Sequence, residues 1–281
     1  MKKSYHERIE DAKKLIENAD YVLIGAGAGL SIAGGFTYSG ERFEKYFSDF
    51  IDKYGFKDMY SGGFYPFASD EERWAYWSRY VYINRYLETE PNPIYKELFE
   101  LVKNKKYFVI TTNVDHQFQI AGFDKKKLYY MQGDYGLFQC SVPCHDKTYD
   151  NKELILKMVN EQKNGKIPTN LIPKCPVCGR NMEMNLRADD RFVQDAGWFK
   201  HAREYQAFLD NAENKNLVLI EIGVGYNTPG IIKFPFERMT FKNKNTHLIR
   251  INKDYPVVSE EIENKTILFN ENTERILKDL K

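Results

Sequence analysis

A chain of 281 residues with 41 basic and 40 acidic side chains, and so a net charge of +1, has no excess of one sign that would draw it to nucleic acid or to a membrane surface. Hydrophobic residues at 42% and charged residues at 29% are the proportions of a globular protein, and the length suits about two domains, or one core with sizeable insertions. No window approaches about 18 uncharged apolar residues, and the start, Met1-Lys2-Lys3-Ser4-Tyr5-His6-Glu7-Arg8, runs into a charged amphipathic helix. A signal peptide and a membrane span are therefore not expected, and a cytoplasmic protein with reduced cysteines is.

In chain order, residues 4 to about 18 place Ile9, Ala12, Leu15 and Ile16 at helical spacing. The run Tyr21-Val22-Leu23-Ile24 suits a buried parallel strand, and it discharges into Gly25-Ala26-Gly27-Ala28-Gly29-Leu30-Ser31. Alternating glycines let backbone N–H groups approach a phosphate, which is the physics of a dinucleotide loop. The fingerprint G-x-G-x-x-G is not met, because Leu30 stands at its third glycine, so a tight structural strand-to-helix turn is the other reading. Residues 36 to 45, with Gly34-Gly35 before them and Thr37-Tyr38-Ser39-Gly40 within, read as a loop over the site. There Arg42 either reaches a phosphate or is solvated. Residues 46 to 104 carry helical patterns and no central strand, so 36–105 reads as an inserted helical module. Between 71 and 87, Trp74, Trp77, Tyr80 and Val81 share one face, a pattern that means packing more often than binding.

A second buried strand, Tyr107-Phe108-Val109-Ile110-Thr111, ends in Thr112-Asn113-Val114-Asp115. Polar residues at the carboxyl end of such a strand lie where open α/β sheets bind ligands, and the same group also suits a helix N-cap. Strand-like runs recur at 128–131, 217–222, 247–251 and 266–269, with helical stretches at 198–212 and 272–280. This alternation specifies an α/β protein: a Rossmann-like, doubly wound parallel sheet drawn from residues 1–35, 106–132 and 196–281. Between 133 and 195 the rhythm breaks, and that interval holds all four cysteines, Cys140-x-x-x-Cys144 and Cys175-Pro176-Val177-Cys178-Gly179. Two close pairs in a reduced compartment have the spacing of a tetrahedral zinc site with four thiolates, which makes 133–195 a small zinc-binding module. His145 is a substitute ligand, and two unconnected thiol pairs are the alternative. With four protein ligands the ion is coordinatively closed and holds structure without joining catalysis.

Several of these stretches together resemble the sirtuins, from about residue 20 to 255. Gly27-Ala28-Gly29-Leu30-Ser31-Ile32-Ala33-Gly34-Gly35 is similar to the family's GAGIS-x-x-SG loop, with Gly25-Ala26-Gly27 as an alternative register. Thr111-Thr112-Asn113-Val114-Asp115 through Ala121-Gly122 resembles TQNID…AG, and the cysteine pairs fall where the family has its zinc module. Gly223-Val224-Gly225 stands where GTS would be, and Ile251-Asn252, followed by Lys253, resembles the strand end that meets the adenosine ribose. The resemblance implies NAD as co-substrate. It places Ala26, Gly27, Ala28, Gly29, Ser31, Arg42, Thr112, Gly223, Val224, Gly225, Asn252 and Lys253 around it, with Asn113 and Asp115 at the nicotinamide end. His116, just past the motif, is implied to be a surface or supporting residue rather than a base.

One departure separates this chain from the deacylases of that family. Tyr130-Met131-Gln132-Gly133-Asp134 resembles E-L-H-G-S, with Gln132 in place of the histidine that acts as base. A glutamine amide orients partners but titrates nowhere near neutral pH. PDFR is likewise replaced by Thr37-Tyr38-Ser39-Gly40, and no F-G-E stretch follows the second cysteine pair, only Leu186-Arg187-Ala188-Asp189-Asp190-Arg191-Phe192. This combination resembles class M, the macrodomain-linked microbial sirtuins. It implies protein mono-ADP-ribosylation of a lipoylated carrier related to the glycine cleavage H protein in oxidative stress, with a macrodomain ADP-ribosyl hydrolase and a lipoate ligase as functional neighbours. Asn113, Asp115 and Gln132 are then the residues at the reaction. A lysine deacylase, with water or His116 taking the proton, and a catalytically weak NAD or ADP-ribose sensor are the alternatives.

Overall fold

The computed structural model describes residues 3–281, so Met1 and Lys2, the head of the expected charged lead, lie outside the described residues. The chain divides into two units, one drawn from residues up to 35, 90–132 and 197–281, the other from 36–89 and 133–196. In chain order the strands among the described residues are β1 (Tyr21–Ala26), β2 (Lys106–Thr111), β3 (Leu128–Tyr130), β4 (Gly133–Cys140), β5 (Tyr149–Asp150), β6 (Met182–Leu186), β7 (Leu217–Ile222), β8 (Thr246–Ile251) and β9 (Thr266–Phe269).

The first unit is a parallel sheet in the order β3-β2-β1-β7-β8-β9. Its strands are mostly apolar because they are covered on both faces, and successive side chains alternate between two cores. Val22, Ile24, Val109, Val218, Ile220 and Ile249 enter one core, with the helices Tyr5–Glu17, Pro93–Val102 and Thr273–Asp279. Leu23, Phe108, Ile110, Leu219 and Leu248 enter the other, with Ala212 and Phe236 from the helices Ala196–Ala212 and Lys233–Lys242. Each such aliphatic side chain contributes about 1.5–3 kcal/mol by leaving water. From β1 the chain builds outward to β2 and β3, then returns to add β7 on the opposite side of β1. The order therefore reverses between β1 and β7, the place where open α/β sheets leave a crevice.

Two expected boundaries are corrected. The helix Pro93–Val102, which the sequence pattern places in the insert 36–105, belongs to the first unit. Asn92 caps it by accepting from the Ile94 N–H (3.1 Å), Pro93 opens it, and Ile94, Tyr95, Leu98 and Val102 are buried in the sheet's core. The insert thus ends near residue 89.

The second correction concerns the expected separation of helical insert and zinc module, which form a single unit. Its antiparallel sheet, β5-β4-β6, is packed by the insert's aromatic face: Trp74 meets Phe138 edge-on at 5.2 Å, and the Tyr80 and Tyr135 hydroxyls are 3.0 Å apart. Arg85 Nε donates to Asp134 Oδ1 (3.0 Å), and Asn181 donates to Asp70 (2.5 Å). Trp74, Tyr80 and Val81 are buried as expected, and Trp77 is half-buried. The helical run expected over 71–87 is the helix Asp70–Val81 continued by a π-helical turn, Tyr82–Tyr86. The loop expected over 36–45 is shorter than its range, since the helix Glu41–Tyr54 begins inside it.

Candidate active site

Within the first unit the strand register brings the expected residues to one rim. Ala26 pairs with Thr111 and Ile222, Thr111 with Tyr130, and Ile222 with Ile251. Gly27, Thr112, Met131, Gly223 and Asn252 consequently leave the sheet at the same level. Gln132 follows one residue later and is half-buried.

The glycines of the first loop serve backbone contact. A Cβ on Gly27 would sit 2.7 Å from the Gly223 carbonyl oxygen, and one on Gly29 2.6 Å from the Gly223 Cα. The Gly29 N–H donates to the Gly223 oxygen (3.0 Å) and the Gly27 N–H to the Ile222 oxygen (3.0 Å). The loop is therefore the tight structural turn that one reading expects, and two of its N–H groups are spent on that turn. Ala28, at the exposed crest, opens the helix Ala28–Ala33, and its N–H takes no backbone acceptor among the described residues. Leu30, which displaces the fingerprint's third glycine, is fully buried in the core.

Beside this loop lies a connected set of polar side chains. Ser31 Oγ donates to Asp115 Oδ2 (2.5 Å) and lies 2.9 Å from the Tyr95 hydroxyl. Asn113 Nδ2 donates to the Gly27 oxygen (3.0 Å) and to the Tyr95 hydroxyl (3.4 Å), while the Asn113 N–H donates to Thr111 Oγ1 (3.0 Å). Asp115 Oδ1 accepts from the Gln117 N–H (3.1 Å), so this carboxylate does organise the start of the next helix. Thr112 donates its N–H to the Ala26 oxygen (3.1 Å). His116 is half-buried with φ +67°, opening the short helix Gln117–Ile120. The structure thus brings Ser31, Asn113 and Asp115 together and adds Tyr95, which gave no signal in sequence because it sits on a helix read as part of the insert.

Across the reversal, Val224 is buried, and its carbonyl accepts from Asn252 Nδ2 (2.9 Å). Asn252 Oδ1 accepts from the Asp254 and Tyr255 N–H groups (3.1 and 2.9 Å). Gly225 and Lys253 are exposed, and a Cβ on Gly225 would meet nothing within 4 Å. Under this rim, Glu221 bridges Lys233 (3.1 Å) and Arg250 (2.8 Å), all three fully buried. Burial draws the Lys233 pKa below its ordinary value against the pull of Glu221.

Arg42 belongs to the second unit. Its guanidinium donates to the Thr37 oxygen (3.1 Å), Asn84 Oδ1 (2.9 Å) and the Ile83 oxygen (2.7 Å), and it lies 5.4 Å from the centre of the Phe36 ring. It is therefore neither solvated nor held out as a free phosphate arm: burial lowers its pKa, and its donors fix the turn at 37 to the π-helical segment.

The four cysteines converge as the spacing demanded. Their sulfurs all lie within 4.8 Å of one another, with Cys140–Cys178 at 3.6 Å and Cys144–Cys175 at 3.7 Å. A tetrahedron of thiolates at about 2.3 Å from zinc has edges of about 3.8 Å, so the donor set fits that ion. Gly179, with φ +72°, donates its N–H to the Cys175 oxygen (2.9 Å) and closes the second knuckle. Four thiols this close resist joint ionisation: burial and the neighbouring sulfurs push Cys144 up to about 12. At Cys175 burial acts in the same sense, but N–H donors from Cys178 and Val177 overcome it and draw the thiol down to about 7. A divalent cation at the centre reverses that balance. His145 is not a ligand here: its Nδ1 is 3.0 Å from Cys144 Sγ and its Nε2 2.7 Å from the Tyr149 hydroxyl, a supporting position.

No family model matches the chain. Among solved structures it is similar to a Sir2 point variant bound to a p53 peptide and NAD, at 17% identity over 97% of this chain and 96% of that one, with a TM-score of 0.59. The fold is thus that of the Sir2 class. Among curated relatives it is 40% identical over 272 residues to a protein ADP-ribosyltransferase of Staphylococcus aureus, across 96% of this chain and 86% of the relative. It is also 32% identical over 251 residues to a probable bifunctional ADP-ribose hydrolase/ADP-ribosyltransferase of Fusarium oxysporum f. sp. cubense, across 85% of this chain and 41% of that longer protein. The chain belongs to the sirtuin-type, NAD-dependent protein ADP-ribosyltransferases.

Proposed function

We propose that the protein transfers one ADP-ribosyl group from NAD to a lipoylated carrier protein of the glycine cleavage H type, with release of nicotinamide. The observation that supports this reading best is the pair of amides at the adjoining ends of β2 and β3. Asn113 and Gln132 occupy the rim positions, and neither is a base at neutral pH. NAD supplies an electrophilic ribose carbon whose bond to nicotinamide breaks with little conventional proton transfer. Orientation and electrostatic stabilisation can carry such a barrier. On the protein's side, the Ala28 crest leaves room and an N–H for the pyrophosphate. Asn113 Oδ1 accepts no hydrogen bond from the described residues and can orient a hydroxyl or an incoming nucleophile, and Gln132 orients a second partner.

The relative from Fusarium is named a probable bifunctional ADP-ribose hydrolase/ADP-ribosyltransferase, which is consistent with a functional link between this protein and a separate ADP-ribosyl hydrolase; the macrodomain type of that hydrolase and a lipoate ligase beside it are part of this proposal through the family resemblance alone. Incubation with labelled NAD and purified carrier, with and without its lipoyl group, tests the reading. Label on the lipoylated carrier alone is the expected result. Acyl-ADP-ribose formed from acyl-lysine peptides points to a deacylase, and binding of NAD without turnover to a sensor; either outcome overturns the proposal.

A further inference from the structure

The polar set around Tyr95 has a direction. A serine hydroxyl has one proton, and that of Ser31 goes to Asp115 Oδ2 at 2.5 Å. In its 2.9 Å contact with Ser31, the Tyr95 hydroxyl must therefore be the donor. Its oxygen then remains an acceptor, and the Asn113 amide lies 3.4 Å away with its nitrogen facing it. The Gly27 carbonyl, which can only accept, holds that same nitrogen at 3.0 Å. The chain of donation is Asn113 Nδ2–H to Tyr95 O–H to Ser31 O–H to the Asp115 carboxylate, with every proton pointing the same way.

We infer that Tyr95 is a positioning residue. Its hydroxyl joins the Asn113 amide to the Ser31–Asp115 pair and, with the Gly27 carbonyl, forbids the flipped amide, so that Asn113 presents Oδ1 and never Nδ2 to the reacting partner. An oxygen there accepts from a hydroxyl or an amine, whereas a flipped amide would offer a donor and misalign the nucleophile. The tyrosine ring is fixed independently, edge-on to Phe118 at 5.0 Å and 87°, and is fully buried. Removing the oxygen alone therefore leaves the packing in place.

This inference rests on the transferase reading for its catalytic consequence, but its structural half can be read without activity. In Tyr95→Phe, the side-chain amide protons of Asn113, followed by NMR in the full chain, should exchange with solvent faster than in the unsubstituted protein. The NAD dissociation constant should stay within about threefold, and kcat for transfer should fall by about 10- to 100-fold. Unchanged exchange and unchanged kcat overturn the inference, as does a loss of kcat that merely tracks a loss of folded protein. Should Tyr95→Phe fail to fold, the unsubstituted protein still decides: slow exchange at Asn113 and a Tyr95 hydroxyl proton protected from solvent support the chain of donation, and rapid exchange at both refutes it. If the unsubstituted protein shows no transfer at all, the functional reading fails while the exchange measurement still judges Tyr95.

Discussion

At the scale of single residues, the proposed chemistry turns on an amide where a base would serve a deacylase. Gln132→Ala should leave NAD binding within about tenfold, or about 1.4 kcal/mol, because the glycine loop and the Asn252 turn do not involve it. Transfer should nonetheless fall by a factor on the order of 10² as an orienting contact is lost. Gln132→His discriminates further. It supplies an imidazole, and a protein whose acceptor path is built for transfer should gain little deacylation, as a peptide deacylation assay would show. Asn113, Asp115 and Gln132 were legible because they sit in short stretches next to strand ends. Tyr95 was not: its role depends on the helix Pro93–Val102 docking against β1 and β2, a tertiary fact that a periodic pattern of Ile94, Leu98 and Val102 does not announce. The engagement of Arg42 was hidden for a related reason, since its acceptors at 83 and 84 are supplied by a π-helical turn that the helical period conceals.

At the scale of elements, the parallel strands read directly from the chain because burial on both faces makes them continuous apolar runs. The antiparallel strands β4 and β6 did not. Their pairing shifts register between Gly133 and Phe138, and their alternation of Asp, Tyr, Gln, Glu and Asn imitates a loop. The turn between β7 and its helix gives a sharp contrast among glycines. Gly223 has φ +60°, and a Cβ there would meet the Gly29 backbone at 2.5 Å. Gly223→Ala should cost about 2 kcal/mol or more in denaturant unfolding, from left-handed strain and displacement of the loop, and should weaken NAD binding with it. Gly225→Ala, with open space around it, should change stability by no more than about 0.5 kcal/mol.

The knuckles make a second prediction at this scale: about one zinc per chain, lost on Cys175→Ser, while His145→Ala should retain the metal but release it to a chelator at least about tenfold faster. Metal analysis and a chromogenic chelator read both. A preparation free of metal yet fully folded and active would falsify the zinc assignment.

For the molecule as a whole, stability should depend on pH through two histidines, the buried His201 and the half-buried His247. His201 packs on Tyr130 at 5.3 Å with its Nδ1 3.3 Å from Glu204 Oε2, and burial, opposed by Glu204, lowers its pKa; burial lowers that of His247 as well. The unfolded chain therefore binds protons at a pH where the folded one does not. The stabilisation is present above the ordinary histidine value and is lost as pH falls through about 6.5 and below. A thermal midpoint measured between about pH 7.5 and 5.5 should drop, and His201→Gln should flatten part of that slope. Among the described residues no helix is long and apolar enough to cross a membrane.

The placement of β1 at the centre of the sheet bears on how the chain is made. One neighbour, β2, begins at residue 106, but the other, β7, begins only at 217, and both must pair with it over the same six residues. A nascent chain that has not yet reached Leu217 thus carries β1 with one flank of N–H and C=O groups open, a template for association with other chains. The reversal at Gly27 and Gly223 can close only once β7 has been made, roughly 200 residues after β1, and such distant pairing is slow. In a pulse of hydrogen exchange during refolding, amides of β2 bonded to β1 should gain protection before those of β7. Simultaneous protection would show that the sheet closes in one step.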